Sequence, residues 1–155
     1  IWDKYRNVLG IWMYQIINGM QPTIFGDGEQ KRAFSYVDDS IIPFWNASQR
    51  DECIDEIINL GGIKEYTINE ACNILCKVTG TDLKPKYLEA RHEAKHAWST
   101  WEKSQDLLDF KHEIDLEEGL TGMWNWAQTQ PNRKRFFWGD YELNKGIYDY
   151  WKTEK

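Results

Sequence analysis

The sequence has no apolar run that approaches the about 18 residues of a membrane-spanning helix, and no signal-peptide pattern opens it. We therefore expect neither a membrane protein nor an exported one. Cysteine is also scarce: the three cysteines, Cys53, Cys72 and Cys76, are odd in number and follow no Cys-x-x-Cys spacing. This pattern indicates neither a disulfide framework nor a zinc site, and it favours the reducing cytoplasm.

The chain has fewer basic than acidic residues. It contains 19 Lys and Arg residues and 25 Asp and Glu residues, which gives a net charge of -6. Binding to nucleic acid or to an anionic membrane needs a basic stripe that neutralises many phosphates, so this balance argues against both partners. A few local arginines can still hold one diphosphate. The 155 residues, 41% hydrophobic and 15% aromatic, are typical of one globular domain.

Short strands and helices alternate along the chain, without internal repeats. Apolar residues at helical spacing predict a helix over residues 7–18, and Asp38 or Asp39 is the expected cap of a helix over residues 38–46. Apolar runs predict a buried strand at residues 56–60 and a weaker strand at residues 86–91. Three further helices are expected, each with its own cap: residues 67–77 from Thr67 with Glu70, residues 101–108 from Ser99 or Thr100, and residues 116–128 from Asp115.

The most informative segment runs from residue 22 to residue 39, PTIFGDGEQKRAFSYVDD. A β-prone run at residues 23–25 precedes a Gly-Asp-Gly turn, and polar and aromatic side chains alternate after it. This pattern predicts a β-hairpin with Arg32 on its second strand and Phe25 on its first. The two side chains would then meet one ligand, as a nucleotide diphosphate requires.

This segment resembles the glycine turn and the Arg-x-Phe-x-Tyr-Val-x-Asp signature of extended short-chain dehydrogenases/reductases. The resemblance is to the NAD-dependent nucleotide-sugar epimerase/dehydratase family, and especially to its UDP-glucose 4-epimerase-like members. Further family-like motifs follow in the same order at residues 59–62, 66–70, 91–99, 107–110 and 116–120. The likeness runs from about residue 7 to residue 127, so it depends on the order and spacing of many motifs.

The resemblance implies an α/β fold: the helix-rich C-terminal substrate-binding lobe of such an enzyme, an incomplete Rossmann-type protein with short strands and a β-hairpin. Residues 1–130 would form the nucleotide-sugar-binding lobe. Residues 131–155 would form a basic and aromatic tail, helical in part, which goes beyond the general family pattern. Trp98, Trp101, Trp124 and Trp126 are expected in the core or in helix packing.

The sequence lacks Gly-x-x-Gly-x-x-Gly, the turn that opens a dinucleotide-binding helix. The family's catalytic Tyr-x-x-x-Lys belongs upstream of the matched segment. Tyr141 with Lys145 and Tyr148 with Lys152 repeat that spacing, but they lie in a tail rich in both residue types, and we interpret them as coincidence. We expect NAD to bind mainly to an N-terminal half outside these residues. This chain alone should bind no cofactor, contain no catalytic residue and be inactive.

The resemblance also implies a substrate site. Arg32 and Arg91 would contact the diphosphate of a UDP-hexose, and Glu93 would accept hydrogen bonds from the ribose hydroxyls. Thr23 and Phe25 would line the uracil. A helix begins at Asn7, Val8 and Leu9, and its N-terminal backbone amides would face the phosphates.

Each assignment has a simpler alternative. Arg32 could pair with Asp27 or Glu29 across the hairpin, Phe25 could be plain core, and Asn7 could serve only as a helix cap. His92 stands where the family often has glycine, which alters the loop around Glu93. His92 and His96 have a metal-compatible spacing, but they lie in a stretch that reads as strand and loop, so no metal is expected.

The predicted function is therefore the substrate-binding portion of an NAD-dependent nucleotide-sugar epimerase or dehydratase, with a UDP-hexose as substrate and a homo-oligomer as assembly. The alternative is a stand-alone, non-catalytic binding or assembly module that lacks the Rossmann half. A GDP- or dTDP-sugar remains open as the ligand.

Overall fold

The computed structural model describes residues 1–135 and 146–152. Two features of the sequence, the aromatic run at residues 136–138 and the Tyr141 and Lys145 pair, lie outside the described residues. The helices are α1 (Val8–Ile17), α2 (Val37–Gln49), α3 (Ile68–Thr79), α4 (Glu102–Leu108) and α5 (Leu116–Thr129). The strands are β1 (Thr23–Phe25), β2 (Lys31–Ala33), β3 (Glu65–Thr67), β4 (Lys86–Leu88) and β5 (His96–Ala97), and single 3-10 turns lie at Asp51–Cys53 and Asp149–Trp151.

Helix α3 begins and ends where its sequence signals lie. Thr67 accepts a hydrogen bond from the backbone N–H of Glu70, and Glu70 accepts one from the backbone N–H of Thr67, which completes the predicted capping box. Gly80 ends the helix with a left-handed φ of 68°. The cap predicted for α5 is also confirmed, because Asp115 accepts from the backbone N–H of Glu118 at 2.8 Å.

Helices α1, α3 and α5 enclose the core. Its buried members include Trp12 and Met13 of α1, Ala71 and Leu75 of α3, and Leu120 of α5. These side chains are at most 2% exposed. Burial of a large apolar side chain stabilises a fold by about 1.5–3 kcal/mol, so this three-helix cluster is the main source of stability.

The predicted β-hairpin is wrong, because β1 and β2 do not pair with each other. Strand β1 pairs in parallel with β4, whereas β2 lies between β3, antiparallel, and β5, parallel. The loop between β1 and β2 bonds to the start of α3 instead: the carbonyls of Gly28 and Gln30 accept from the N–H groups of Asn69 and Ile68, each at 3.0 Å. These bonds direct β2 away from β1 and into a second sheet.

Helix α2 begins differently from the prediction. Its N-cap is Tyr36, which makes no capping bond, and both predicted cap residues lie in the first turn. The carboxylate of Asp39 accepts from the backbone N–H groups of Glu113 and Ile114, each at 3.2 Å. Asp39 therefore anchors the segment before α5 rather than capping its own helix. The helix runs through Pro43, its one buried residue, to Gln49.

Two other expectations are wrong. Residues 56–60 form no strand, and Ile57 is 84% exposed. Asp55, directly before this run, takes a left-handed φ of 60°, which is not extended backbone. Helix α4 receives no cap from Ser99 or Thr100, because its N-cap position is Trp101.

Two of the four tryptophans predicted for the core or for helix packing lie largely at the surface. Trp98 is 62% exposed and Trp126 is 48% exposed. Trp126 packs edge-on against Trp2 with ring centroids 6.2 Å apart. Trp124 does pack against the core.

The part of the chain that the structure describes is thus a mixed α/β unit of helices and very short strands. None of its helices combines the length and the apolar character needed to cross a bilayer.

Candidate functional site

Phe25 and Arg91 meet where the parallel strands β1 and β4 end. The last residues of the two strands, Phe25 and Leu88, are register partners, and Arg91 follows three positions later. The guanidinium carbon of Arg91 lies 4.0 Å from the centroid of the Phe25 ring. This is a cation–π geometry. The cation beside Phe25 is therefore Arg91, and the predicted placement of Arg32 against that ring is wrong because the hairpin does not form.

Arg32 pairs with Glu93. Its Nη2 lies 2.9 Å from Oε2 of Glu93, and its Nη1 donates to the carbonyls of Lys31 and Ala94 at 2.7 and 2.9 Å. The simpler alternative of an ion pair with Asp27 or Glu29 is also wrong, since the partner comes from the loop after β4.

Glu93 lies between two guanidinium groups. Arg91 approaches its other oxygen at 3.8 Å, and Gln30 donates to that oxygen at 3.2 Å. The Arg32, Arg91 and Glu93 side chains are 23%, 24% and 27% exposed, so all three can be reached from solvent. Two guanidinium groups therefore share one carboxylate. Such a cluster can bind an anion with charge-assisted hydrogen bonds.

A cavity of about 420 Å³ opens beside this cluster. Its size lies within the range of roughly 300–1,000 Å³ typical of small-molecule sites. Acidic and basic side chains line it together with Phe25: Asp27, Glu29, Glu93, Arg91 and Lys95. We call this the larger cavity.

A smaller cavity of about 100 Å³ lies at the N-terminus of α1. It is lined by Asn7, Val8 and Thr23 and, from the C-terminal segment, by Tyr150 and Trp151. Among the residues that the structure describes, only Phe25 and Arg91 are common to the linings of the two cavities, so this pair lies between them. The predicted site residues are thus distributed over two neighbouring cavities, except Arg32 and Leu9, which line neither of them.

The remaining predicted residues have structural partners. Asn7 accepts a hydrogen bond from the N–H of Gly10 at 3.5 Å, so it does cap α1. The Thr23 hydroxyl accepts from Gln15 at 3.0 Å, and the Thr23 carbonyl accepts from the indole N–H of Trp12 at 2.7 Å. Leu9 packs against the core rather than into either cavity.

The sequence reasoning missed the aromatic residues of the C-terminal segment as parts of this region. The rings of Tyr148 and Tyr150 lie 6.4 and 5.7 Å from that of Phe25. The signal in the sequence was the clustering of three aromatic residues at positions 148–151.

Cys72 lies in the hydrophobic core and lines neither cavity. Burial, then the neighbouring Cys76, raises the pKa of the Cys72 thiol to about 12, so it stays protonated and is a poor nucleophile. Within residues 1–135 and 146–152, no group of three or more His, Cys, Asp or Glu side chains is arranged to hold a metal ion.

These residues do not fit an NAD-binding turn. The glycines with positive φ nearest the site, Gly26 and Gly28, lie in a loop that leads into β2 rather than into a helix. A dinucleotide turn opens a helix, whose N-terminus faces the pyrophosphate.

No family model matches the chain. A UDP-glucuronate 4-epimerase of Thermodesulfobacterium geofontis is 38% identical over 107 residues, which cover 68% of this chain and 32% of that protein. The crystal structure of the UDP-glucuronic acid 4-epimerase of Bacillus cereus with UDP-glucuronic acid and NAD superposes with a TM-score of 0.74 at 28% identity, over 79% of this chain and 40% of that one. This chain belongs to the nucleotide-sugar epimerase/dehydratase family of extended short-chain dehydrogenases/reductases.

The family likeness extends to the UDP-glucose 4-epimerase of Thermotoga maritima, solved with UDP-glucose. It superposes with a TM-score of 0.75 at 28% identity, over 82% of this chain and 41% of that one. The chain therefore spans about a third to two fifths of the length of these family members. The part that it matches is their C-terminal lobe.

Proposed function

We propose that this chain is the substrate-binding portion of an NAD-dependent nucleotide-sugar epimerase or dehydratase that acts on a UDP-hexose. The observation that carries the proposal is the pairing of Arg32 and Arg91 around Glu93 beside a cavity of about 420 Å³. The names of the similar proteins, which are UDP-sugar 4-epimerases, support the choice of UDP.

In this proposal the two arginines bind the diphosphate. A guanidinium presents several N–H donors in a plane, which suits phosphate oxygens better than a point charge does. The incoming diphosphate competes with the Glu93 carboxylate for Arg32. Glu93 then becomes free to accept hydrogen bonds from the ribose hydroxyls, and Phe25 lies toward the base. The role of Thr23, which lines the smaller cavity, stays a prediction.

The roles of Asn7, Val8 and Leu9 stay a prediction. Asn7 and Val8 line the smaller cavity, next to the first turn of α1, where unpaired backbone N–H groups favour an anion. The Phe25 and Arg91 pair lies between these two residues and the larger cavity.

In this proposal these residues contribute binding and orientation, not bond breaking. The hydride chemistry of such an enzyme is supplied by NAD, and the sequence lacks the family's glycine turn. That this chain contributes no catalytic residue stays a prediction. Holding a nucleotide sugar in one orientation is itself a large part of catalysis, because it replaces a diffusional encounter by a fixed geometry.

The proposal includes a cytoplasmic location and a homo-oligomer. The three cysteines are free thiols, which suits a reducing compartment. Helix α2 exposes apolar side chains, among them Ile42, Phe44 and Trp45, each at least 60% exposed, and such patches favour association. Light scattering on the purified protein should give a dimer or larger, and a monodisperse monomer would contradict this part of the proposal.

Titration of the full-length protein with UDP tests the nucleotide assignment. Arg32→Ala should raise the Kd for UDP about tenfold or more, since a hydrogen bond to a charged group is worth about 1.5–3 kcal/mol. Arg50→Ala is the matched control, because Arg50 also makes an ion pair, with Asp109, between α2 and the end of α4. Its Kd should equal that of the wild type.

The outcomes separate the parts of the proposal. An unchanged Kd in Arg32→Ala would remove Arg32 from the site. Tighter binding of GDP or dTDP than of UDP would change the nucleotide. A wild-type protein that binds none of the three would contradict the proposed function itself.

A further inference from the structure

The C-terminal segment at residues 148–151 packs on the back of the candidate site. Its rings pack together, with the Tyr148 and Trp151 centroids 5.1 Å apart, and Tyr5 contacts Trp151 at 5.7 Å. Of its four residues, Asp149 is exposed and the three aromatic residues are half-buried. The segment therefore has a defined inner face, which lies against Phe25.

Two hydrogen bonds fasten this segment to the elements that form the site. The Tyr148 hydroxyl accepts from the backbone N–H of His92 at 3.0 Å, and the Tyr150 hydroxyl accepts from Gln15 of α1 at 3.3 Å. His92 is the residue that follows Arg91. The first bond thus fixes the loop that carries this arginine.

Arg91 is surrounded by aromatic rings. Its guanidinium carbon lies 4.0 Å from the Phe25 centroid, 5.7 Å from that of Trp151 and 6.0 Å from that of Tyr148. All three distances are within the range of cation–π attraction. Its Nη2 lies 3.8 Å from Oε1 of Glu93, which is longer than a normal hydrogen bond. The guanidinium is thus in contact with rings from two segments of the chain as well as with the carboxylate.

We propose that Tyr148 and Trp151 are positioning residues for Arg91: they hold its guanidinium over Phe25 so that its free N–H edge meets the diphosphate of the ligand. This inference rests on the proposed function. A flexible side chain that is ordered before the ligand arrives does not have to be ordered on binding, which increases affinity.

The volumes and linings of the two cavities favour this positioning role over that of a plug, that is, a segment that blocks the ligand site. The smaller cavity, which the segment closes, holds about 100 Å³ and is too small for a nucleotide diphosphate. The larger cavity holds about 420 Å³, and no residue of the segment lines it. A ligand in the larger cavity can contact Arg91 while the segment stays in place behind it.

Calorimetric titration of the full-length protein with UDP tests the inference. The variant with both Tyr148→Leu and Trp151→Leu should bind UDP roughly 2- to 12-fold more weakly, the range expected when one long side chain must be ordered on binding. Trp151→Phe, which keeps a ring, should retain most of the wild-type affinity. Trp126→Leu is the control, because Trp126 is a half-exposed tryptophan that packs against Trp2 instead.

A double-mutant cycle distinguishes positioning from a general loss of structure. In an Arg91→Ala background, the two leucine substitutions should cause no further loss of UDP affinity, whereas a merely structural effect would persist. Equal UDP affinity of the leucine variant and the wild type would overturn the inference. Tighter binding would overturn it as well, since the segment would then be a plug. If the wild-type protein does not bind UDP, the proposed function fails and this inference fails with it.

Discussion

Helices α2 and α3 are 13 and 12 residues long and both carry apolar side chains, but α3 buries several of them and α2 exposes most of its own. In α3, Ala71 and Leu75 are completely buried. In α2 only Pro43 is buried, and five apolar side chains are more than half exposed: Val37, Ile41, Ile42, Phe44 and Trp45. Apolar spacing alone therefore does not tell which helix belongs to the core.

Helices α2 and α3 also differ in which parts of the structure they contact. The N-terminus of α3 bonds to the loop between β1 and β2, and α1, its neighbour in the core, holds β1 through Trp12 and Gln15. Helix α2 instead contacts α4, where Asn46 donates to the carbonyl of Leu108 at 2.9 Å. Helices α1 and α3 thus hold the elements of the candidate site, whereas α2 packs against α4.

Substitutions to alanine on the two helices should give unequal losses of stability. Leu75→Ala removes a fully buried side chain from α3 and should lower the free energy of unfolding by about 2–5 kcal/mol. Ile42→Ala, on α2, removes a side chain that is 60% exposed and should change it by no more than about 0.5 kcal/mol. Urea denaturation followed by circular dichroism measures both.

Equal losses of stability in the two variants would contradict the conclusion that α3 belongs to the core and α2 does not. A large loss in Ile42→Ala would mean that the exposed face of α2 is covered in solution. A small loss in Leu75→Ala would mean that the three-helix core relaxes around the missing side chain.

Local signals predicted the ends of α3 and the start of α5, although they failed for the caps of α2 and α4 and for the strand at residues 56–60. The capping box of Thr67 and Glu70, the stop at Gly80 and the cap at Asp115 all depend on residues a few positions apart, and all are confirmed. The bounds of α1 also follow from such signals. The α/β character and the family likeness are confirmed for the same reason, because short motifs in a fixed order specify them.

Pairing between strands that are distant in the sequence could not be predicted from such local signals. The sequence marks β1 and β2 as strands, but their partners, β4 and β3, lie tens of residues away. The candidate site shows the same limit. Arg32, Arg91 and Phe25 were all named from motifs, yet which cation lies on the ring depends on the strand order. The C-terminal rings were missed because their partners are distant in sequence.

The smallest predicted effect concerns pH and the start of α3. A backbone hydrogen bond from Thr67 lowers the pKa of the Glu70 carboxyl below its usual 4.5. Because the folded pKa is lower than the unfolded one, the stabilising contribution is complete above pH 4.5 and is lost as the pH falls through the folded pKa. Glu70→Gln removes this titration, so its urea midpoint should fall less than that of the wild type between about pH 6 and about pH 3. Parallel curves for the two proteins would show that the capping box adds no pH-dependent stability, and would weaken the contrast between the capped α3 and the uncapped α2.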